Sequence, residues 1–149
     1  MSLQKTVFVN ALRLHQEIYV RTDGLIGHRW IGPPALLLRT TGRKSGKERT
    51  NALVYAKDGD RYLIVPSNGG ANRPPAWLLN LVAEPAVTVQ VGRARWFGKA
   101  TVVGHDDPDF ARVWRIADDN NSGRYTAYQQ QTSREIPVVA LAPARDRVG

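Results

Sequence analysis

The chain has no cysteine among its 149 residues. That removes disulfides, thiolate metal sites and cysteine nucleophiles in one step. Histidine is scarce as well. His15, His28 and His105 fall in three separate segments, without the spacing a metal site needs, so none is expected. No apolar run reaches the roughly 20 residues of a membrane-spanning helix. The N-terminus lacks a continuous apolar stretch and a small-residue cleavage site, so no secretory signal is predicted and a cytoplasmic location is expected. Acidic residues are in deficit, 13 against 21 Lys and Arg, leaving a net charge of +8. Such a surplus suits nucleic acid, an anionic membrane surface or an acidic small ligand. Length and an ordinary hydrophobic content of 42% predict one domain over residues 1–149.

The positive charge is densest between Arg39 and Val54, R-T-T-G-R-K-S-G-K-E-R-T-N-A-L-V. Apolar runs, Ala35 to Leu38 and Ala52 to Ala56, lead in and out. Between them lie Gly42 and Gly46, the cations Arg39, Arg43, Lys44, Lys47 and Arg49, and the hydroxyls of Thr40, Thr41, Ser45 and Thr50. Glycines permit a sharp turn and a close approach of backbone N–H groups to a ligand. Cations and hydroxyls around such a turn suit phosphate or carboxylate oxygens. The stretch reads as a strand–loop–strand connection that holds an anion; the same residues also suit a plain surface hairpin. It has neither the P-loop spacing nor the helix that follows a Rossmann fingerprint.

Elsewhere, Leu3, Val7, Ala11, Leu14 and Ile18 form one stripe, predicting an amphipathic helix over residues 3–19. That stripe could pack on the core, cover a pocket or touch a membrane surface. Strands are predicted at Ala35–Thr40, Asn51–Lys57, Arg61–Pro66, Ala86–Val91, Ala94–Val103 and Ile136–Leu141, with Asp58-Gly59 as a hairpin turn. A short helix is predicted at Ala76–Leu81 after Pro74-Pro75. Another starts at Asp106-Asp107-Pro108 and meets a polar break at Asp118–Gly123; a last one covers Arg124–Thr132, with Tyr125 and Tyr128 on one face. Hairpins dominate and no βαβ alternation occurs. The expectation is a mainly β (α+β) fold: a barrel of about six antiparallel strands with flanking helices.

These segments resemble a known family. T-T-G-R-K-S-G-x-x-R-x-N, the D-G hairpin, S-x-G-G, P-x-W-x-L-N, a V-x-V strand, a tyrosine-bearing segment and a final I-P-V-V occur in the order seen in the deazaflavin-dependent nitroreductases, which include F420H2-dependent quinone reductases. The likeness covers about Leu36 to Ala142. It implies the split β-barrel shared with flavin mononucleotide oxidases, and coenzyme F420 as the cofactor. That coenzyme has a flat tricyclic ring, a ribityl phosphodiester and a polyglutamate tail. The resemblance implies Arg43, Lys44 and Ser45 at the phosphate and tail. Arg49, Asn51, Ala52 and Leu53 would follow along the coenzyme. Pro66, Ser67, Asn68 and Gly69 would line the ring, and Ala76, Trp77 and Asn80 would complete the site. Arg49 and Asn80 could also be simple surface residues, and Trp77 a core residue.

The family chemistry is hydride transfer to a quinone-like, electron-poor or nitro acceptor. A nearby hydroxyl would assist as negative charge develops on the acceptor oxygen. Ser67, Tyr125 and Tyr128 are the candidates, although the tyrosines could merely pack a helix. Ser122 and Val54 stand where family members carry further tyrosines, which weighs against nitroimidazole activation more than against quinone reduction. A lipid-soluble acceptor would place the 3–19 helix on the inner face of the cell membrane. Alternatives are a flavin mononucleotide oxidoreductase of the same fold and a non-catalytic coenzyme carrier. Specific nucleic-acid binding is not expected, since no basic and aromatic module is present. Both monomer and homodimer fit.

Overall fold

Short apolar runs punctuated by glycine, proline and Asp-Gly become seven antiparallel strands in the computed structural model, which describes residues 33–144. They are β1 (Ala35–Thr41), β2 (Glu48–Val54), β3 (Ala56–Asp58), β4 (Arg61–Ile64), β5 (Ala86–Val91), β6 (Ala94–Val103) and β7 (Val138–Pro143). Their order in the sheet is β2-β1-β5-β6-β7-β4-β3. Helix α1 (Ala76–Ala83) follows β4, while α2 (Phe110–Asn120) and α3 (Arg124–Gln129) connect β6 to β7. The helix expected at 3–19 lies outside the described residues.

The two edge strands, β2 and β3, are separated in sequence by Tyr55 alone. The sheet therefore curls until its edges meet at one residue, which gives the expected barrel form. Seven strands arise where about six are expected because one divides at Tyr55. The Tyr55 N–H donates to the Pro34 carbonyl at 3.1 Å, and its carbonyl accepts from Asn120 Nδ2 at 2.9 Å. The N–H bond extends the β1–β2 register by one position, and the side chain of α2 on the carbonyl marks the point where one strand becomes two.

Strand periodicity divides the core in two. Inward-facing Leu36, Leu38, Ile64, Val87, Val89, Val139 and Leu141 pack with Trp77, Leu78 and Leu81 of α1. On the opposite side, Leu63, Val138 and Ala140 pack with Val113 and Ala117 of α2 and Tyr125 of α3. Successive residues of β4 and β7 thus enter different clusters, because side chains alternate across a strand. This explains why β7 and the Leu63-Ile64 end of β4 are apolar on both faces, while Gly98–Thr101 of β6 alternates buried and exposed positions.

Some element ends differ from expectation. β2 begins at Glu48, paired with Thr41, so the hairpin loop is shorter than expected. Asp118 and Asp119 remain helical, and the turn falls at Ser122 and Gly123, whose φ angles of 59° and 77° are left-handed. The Asp118 carboxylate accepts from Thr126 N at 3.1 Å and Thr126 Oγ1 at 2.6 Å, tying α2 to α3. Ile136 stays out of β7 because its N–H donates to Gln129 Oε1 at 2.8 Å.

Arg112 of α2 binds the β3–β4 hairpin in a two-pronged contact: Nη1 reaches Asp58 Oδ1 at 2.8 Å and Nη2 reaches Oδ2 at 3.0 Å. Hydrogen bonds from Arg112 and then Arg61 hold the Asp58 carboxyl down to about 2. A carboxyl depressed on folding stabilises the fold above its unfolded value of 3.8 and ceases to do so as pH falls through the folded one. The wild type should be more stable than Arg112→Met near neutral pH, an advantage that solvent screening keeps small. In chemical denaturation it should vanish as pH falls from about 3.8 towards 2. An advantage that persists at the acid end would mean that Arg112 acts through packing instead.

Candidate anion-binding groove

The β1–β2 loop is a tight turn. Gly42 N–H donates to the Lys47 carbonyl at 2.7 Å, and Gly46 N–H donates to the Gly42 carbonyl at 2.8 Å. A Cβ on Gly42 would sit 2.8 Å from Ser45 Oγ and 3.1 Å from the Lys47 carbonyl, so close approach requires glycine there. Ser45 Oγ accepts from Lys47 N at 3.1 Å and Arg49 Nη2 at 3.4 Å. The turn leaves Arg43, Lys44, Lys47 and Arg49 exposed. Among the described residues, neither Lys44 nor Lys47 has a carboxylate within ion-pair distance.

Helix α1, A-W-L-L-N-L-V-A, has one polar residue, Asn80, and that residue is 5% exposed. Burying an amide in so apolar a helix is costly unless its polar atoms are bonded. Asn80 Oδ1 accepts from Arg43 N at 3.1 Å and from Arg43 Nη1 at 3.5 Å. Asn80 Nδ2 donates to Thr40 Oγ1 at 3.3 Å. One side chain thus pins the basic turn to the helix. Between them opens a groove of about 760 Å³.

Its walls include Arg43, Lys44, Ser45, Arg49, Asn51, Asn68, Ala76, Trp77 and Asn80, all residues singled out from the sequence. Gly42, Glu48, Thr50, Pro74 and Pro75 line it as well; they belong to the same motifs but had not been assigned to the site. Ala52 and Leu53 continue β2 beyond the groove wall and are half-buried. Pro66 and Ser67 are buried, and Gly69 is half-buried beside Asn68. Asn68, Gly69 and Gly70 have successive left-handed φ angles of 48°, 64° and 84°. The Asn68 and Gly69 N–H groups donate to no acceptor among the described residues, so this turn keeps two donors available. The exposed cations at one end and these donors at the other suit an elongated anion attached to a flat polar ring.

The tyrosines sit elsewhere. Tyr125 is 6% exposed and lies in the second core cluster, its ring 6.4 Å from that of Trp114. Burial, followed by the nearby Tyr128 and Asp118, pushes its hydroxyl well above the usual tyrosine range. Tyr128 is half-buried against the same cluster. Neither lines the groove. The end of α3 nevertheless touches the left-handed turn: a Cβ on Gly70 would meet Gln131 Oε1 at 2.9 Å and the Tyr128 carbonyl at 3.1 Å. Among the described residues, no cluster of metal-ligating side chains occurs and no helix is long and apolar enough to cross a membrane.

Seven antiparallel strands curled edge to edge, with helices against their faces and a cation-lined groove, define a split-barrel protein built to receive an anionic ligand. A solved F420-H2 dependent reductase shares the fold at a TM-score of 0.65 and 32% identity, covering 74% of this chain and 96% of its own. A second structure, described as a domain-swapped dimer, gives 0.67 and 29%, covering 89% and 98%. Residues 11–143 match the model of the F420H(2)-dependent quinone reductases, and the chain belongs to that family. An F420H(2)-dependent quinone reductase of Mycobacterium tuberculosis is 54% identical over 140 residues, 93% of this chain and 94% of that protein.

If Asn80 holds the turn as the distances indicate, Asn80→Ala strands a backbone donor and a buried hydroxyl. The expected cost is about 1–3 kcal/mol in chemical denaturation, with faster amide exchange at Arg43. Unchanged stability and exchange would show that the turn holds itself.

Proposed function

We propose that this protein transfers hydride from reduced coenzyme F420 to a quinone-like acceptor, with the groove as the coenzyme site. The observation that carries the reading is the groove itself. Three exposed cations, Arg43, Lys44 and Arg49, line it beside the turn pinned by Asn80, and Asn68 brings to it the left-handed turn with its available N–H donors. A ligand with one phosphate would not need so many cations. A phosphodiester extended by several glutamates would, and this favours coenzyme F420 over flavin mononucleotide. Family membership supports the same choice.

When bound, the reduced deazaflavin supplies a hydride at its C5 carbon. The chain's part is to bind, orient and protonate. Arg43, Lys44, Ser45 and Arg49 would hold the phosphate and tail, with Asn51, Ala52 and Leu53 beside the ribityl chain. Pro66, Ser67, Asn68 and Gly69 would contact the ring, and Ala76, Trp77 and Asn80 would close the other wall. Of the three candidate hydroxyls, Ser67 is in the ring turn. It would donate a hydrogen bond to the acceptor oxygen as charge builds there. Tyr125 and Tyr128 would act chiefly by packing α3 against that turn, since burial makes the Tyr125 hydroxyl a poor acid. Nitro compounds remain a secondary acceptor class. Contact of the 3–19 stretch with a membrane surface would serve a lipid-soluble quinone, and pairing of two copies is compatible with the dimeric neighbour.

The test is oxidation of the reduced coenzyme by menadione, followed at the deazaflavin absorbance band. Lys44→Ala and Arg43→Ala should each weaken coenzyme binding about 10- to 100-fold, the loss of one charge-assisted contact. The KM for the quinone should hold. Tight coenzyme binding with no reoxidation by any quinone would reject the acceptor class and leave a carrier. Preferential binding of flavin mononucleotide would reject the coenzyme.

A further inference from the structure

Arg134 lies between α3 and β7 and is not on the groove wall. Its guanidinium makes three hydrogen bonds, all to main-chain carbonyls of the turn that follows β4. Nε donates to Ala71 O at 2.9 Å, and Nη2 donates to Pro66 O at 3.1 Å and Ser67 O at 2.9 Å. These carbonyls bracket the left-handed run Asn68-Gly69-Gly70. That run has hydrogen bonds of its own, from Gly70 N–H to Ser67 O at 2.9 Å, from Ala71 N–H to Asn68 O at 3.1 Å and from Asn68 Nδ2 to Arg73 O at 2.9 Å, but these leave the carbonyls of Pro66 and Ala71 to Arg134 and let Ser67 O accept from both. Three carbonyl dipoles converging on one point repel one another unless a cation sits between them. Arginine suits this task because its planar fork offers several donors in fixed directions, whereas lysine offers a single point.

The clamp fixes more than the carbonyls. In a trans peptide the C=O and the following N–H point opposite ways. Drawing Ser67 O towards Arg134 therefore turns the Asn68 N–H away from it, on the residue that meets the groove. That N–H has no acceptor among the described residues. Arg134 is itself held from behind. Its carbonyl accepts from Gln129 Nε2 at 2.7 Å, and its N–H donates to Thr132 Oγ1 at 3.3 Å. Thr132 Oγ1 also donates to Asn72 Oδ1 at 2.8 Å, a second tie to the same turn.

We infer that Arg134 is a positioning residue for the ring end of the site: it holds the Pro66–Ala71 turn so that the Asn68 N–H is presented to the flat ring of the coenzyme. This rests on the proposed coenzyme reading and adds to it a residue that touches neither coenzyme nor acceptor. It separates the two ends of the site. Lys44 serves the anionic tail and Arg134 serves the ring.

The experiment measures binding of two probes to the full chain: oxidised coenzyme F420, and the same ring and ribityl chain without phosphate or glutamates. Arg134→Ala should weaken both probes by the same factor, about 10-fold or more. Lys44→Ala should weaken only the complete coenzyme. Guanidinium ion at non-denaturing concentration should restore tail-less probe binding to Arg134→Ala, while ammonium should not. Arg134→Lys should show the same ring-selective loss, since one ammonium cannot span three carbonyls; it carries the test if the alanine variant does not fold. Undiminished binding of the tail-less probe by either variant, or a loss confined to the complete coenzyme, overturns the inference and leaves the coenzyme reading intact. Failure of the wild type to bind either probe sinks the coenzyme reading, and this inference with it.

Discussion

The hydrogen bonds of Asn80 couple two parts of the chain that have no other reason to meet in one geometry. Arg43 belongs to an exposed polar turn, and Thr40 to the buried end of β1 that leads into it. Asn80 belongs to a helix whose remaining residues are apolar. Hydrophobic burial of Trp77, Leu78 and Leu81 seats that helix on the sheet, but burial has no direction and cannot set the orientation of a loop. Hydrogen bonds do have direction. The amide converts a roughly placed helix into a wall at fixed distance from the cations, and the groove exists because that distance is held.

The same division of labour recurs at the other end of the groove. The turn after β4 takes its position from the apolar strands that precede it, and its shape from polar contacts made by the segment after α3. Gly70 lies against the Tyr128 carbonyl at the end of α3 and the Gln131 side chain beyond it, and the Arg134 guanidinium gathers the carbonyls of the turn. Both ends of the site thus rest on side chains that bind backbone, and neither depends on a carboxylate. This preserves the net positive field of the groove. Glu48 is the one carboxylate on the groove wall, against Arg43, Lys44 and Arg49; Asp58 and Asp109 are used elsewhere, in the network with Arg112 that fastens the β3–β4 hairpin to α2.

Much of this was legible in the residues, and the exceptions share a cause. The Gly42–Lys47 turn, the Asp58-Gly59 hairpin, the alternating V-T-V-Q-V of β5 and the proline-led start of α1 are local signals, and local chemistry governs those elements. The break at Tyr55 was not legible, because T-N-A-L-V-Y-A-K is an uninterrupted strand-forming string. At the break, the Tyr55 carbonyl accepts from a side chain 65 residues away. Arg134 carried no signal either: its partners are carbonyls 63 to 68 positions earlier, and carbonyls have no sequence identity. The basic motif announced a place for an anion but not the buried amide that aims it. The tyrosines were readable as one face of a helix; that this face turns into the core depends on α2, through Trp114 and Val113.

Strand β7 has a consequence for how the molecule is made. It sits between β6 and β4 in the sheet, and its alternate residues complete both core clusters. Neither cluster is whole until Val138–Pro143 is in place. During synthesis, everything from β1 to α3 must leave the ribosome before the final strand can be inserted. Pairing over such sequence separations is slow relative to local helix formation. The nascent chain therefore exposes the unpaired flanks of β4 and β6 until that strand arrives. Newly made protein should depend on holding chaperones during this interval and become independent of them in one cooperative step.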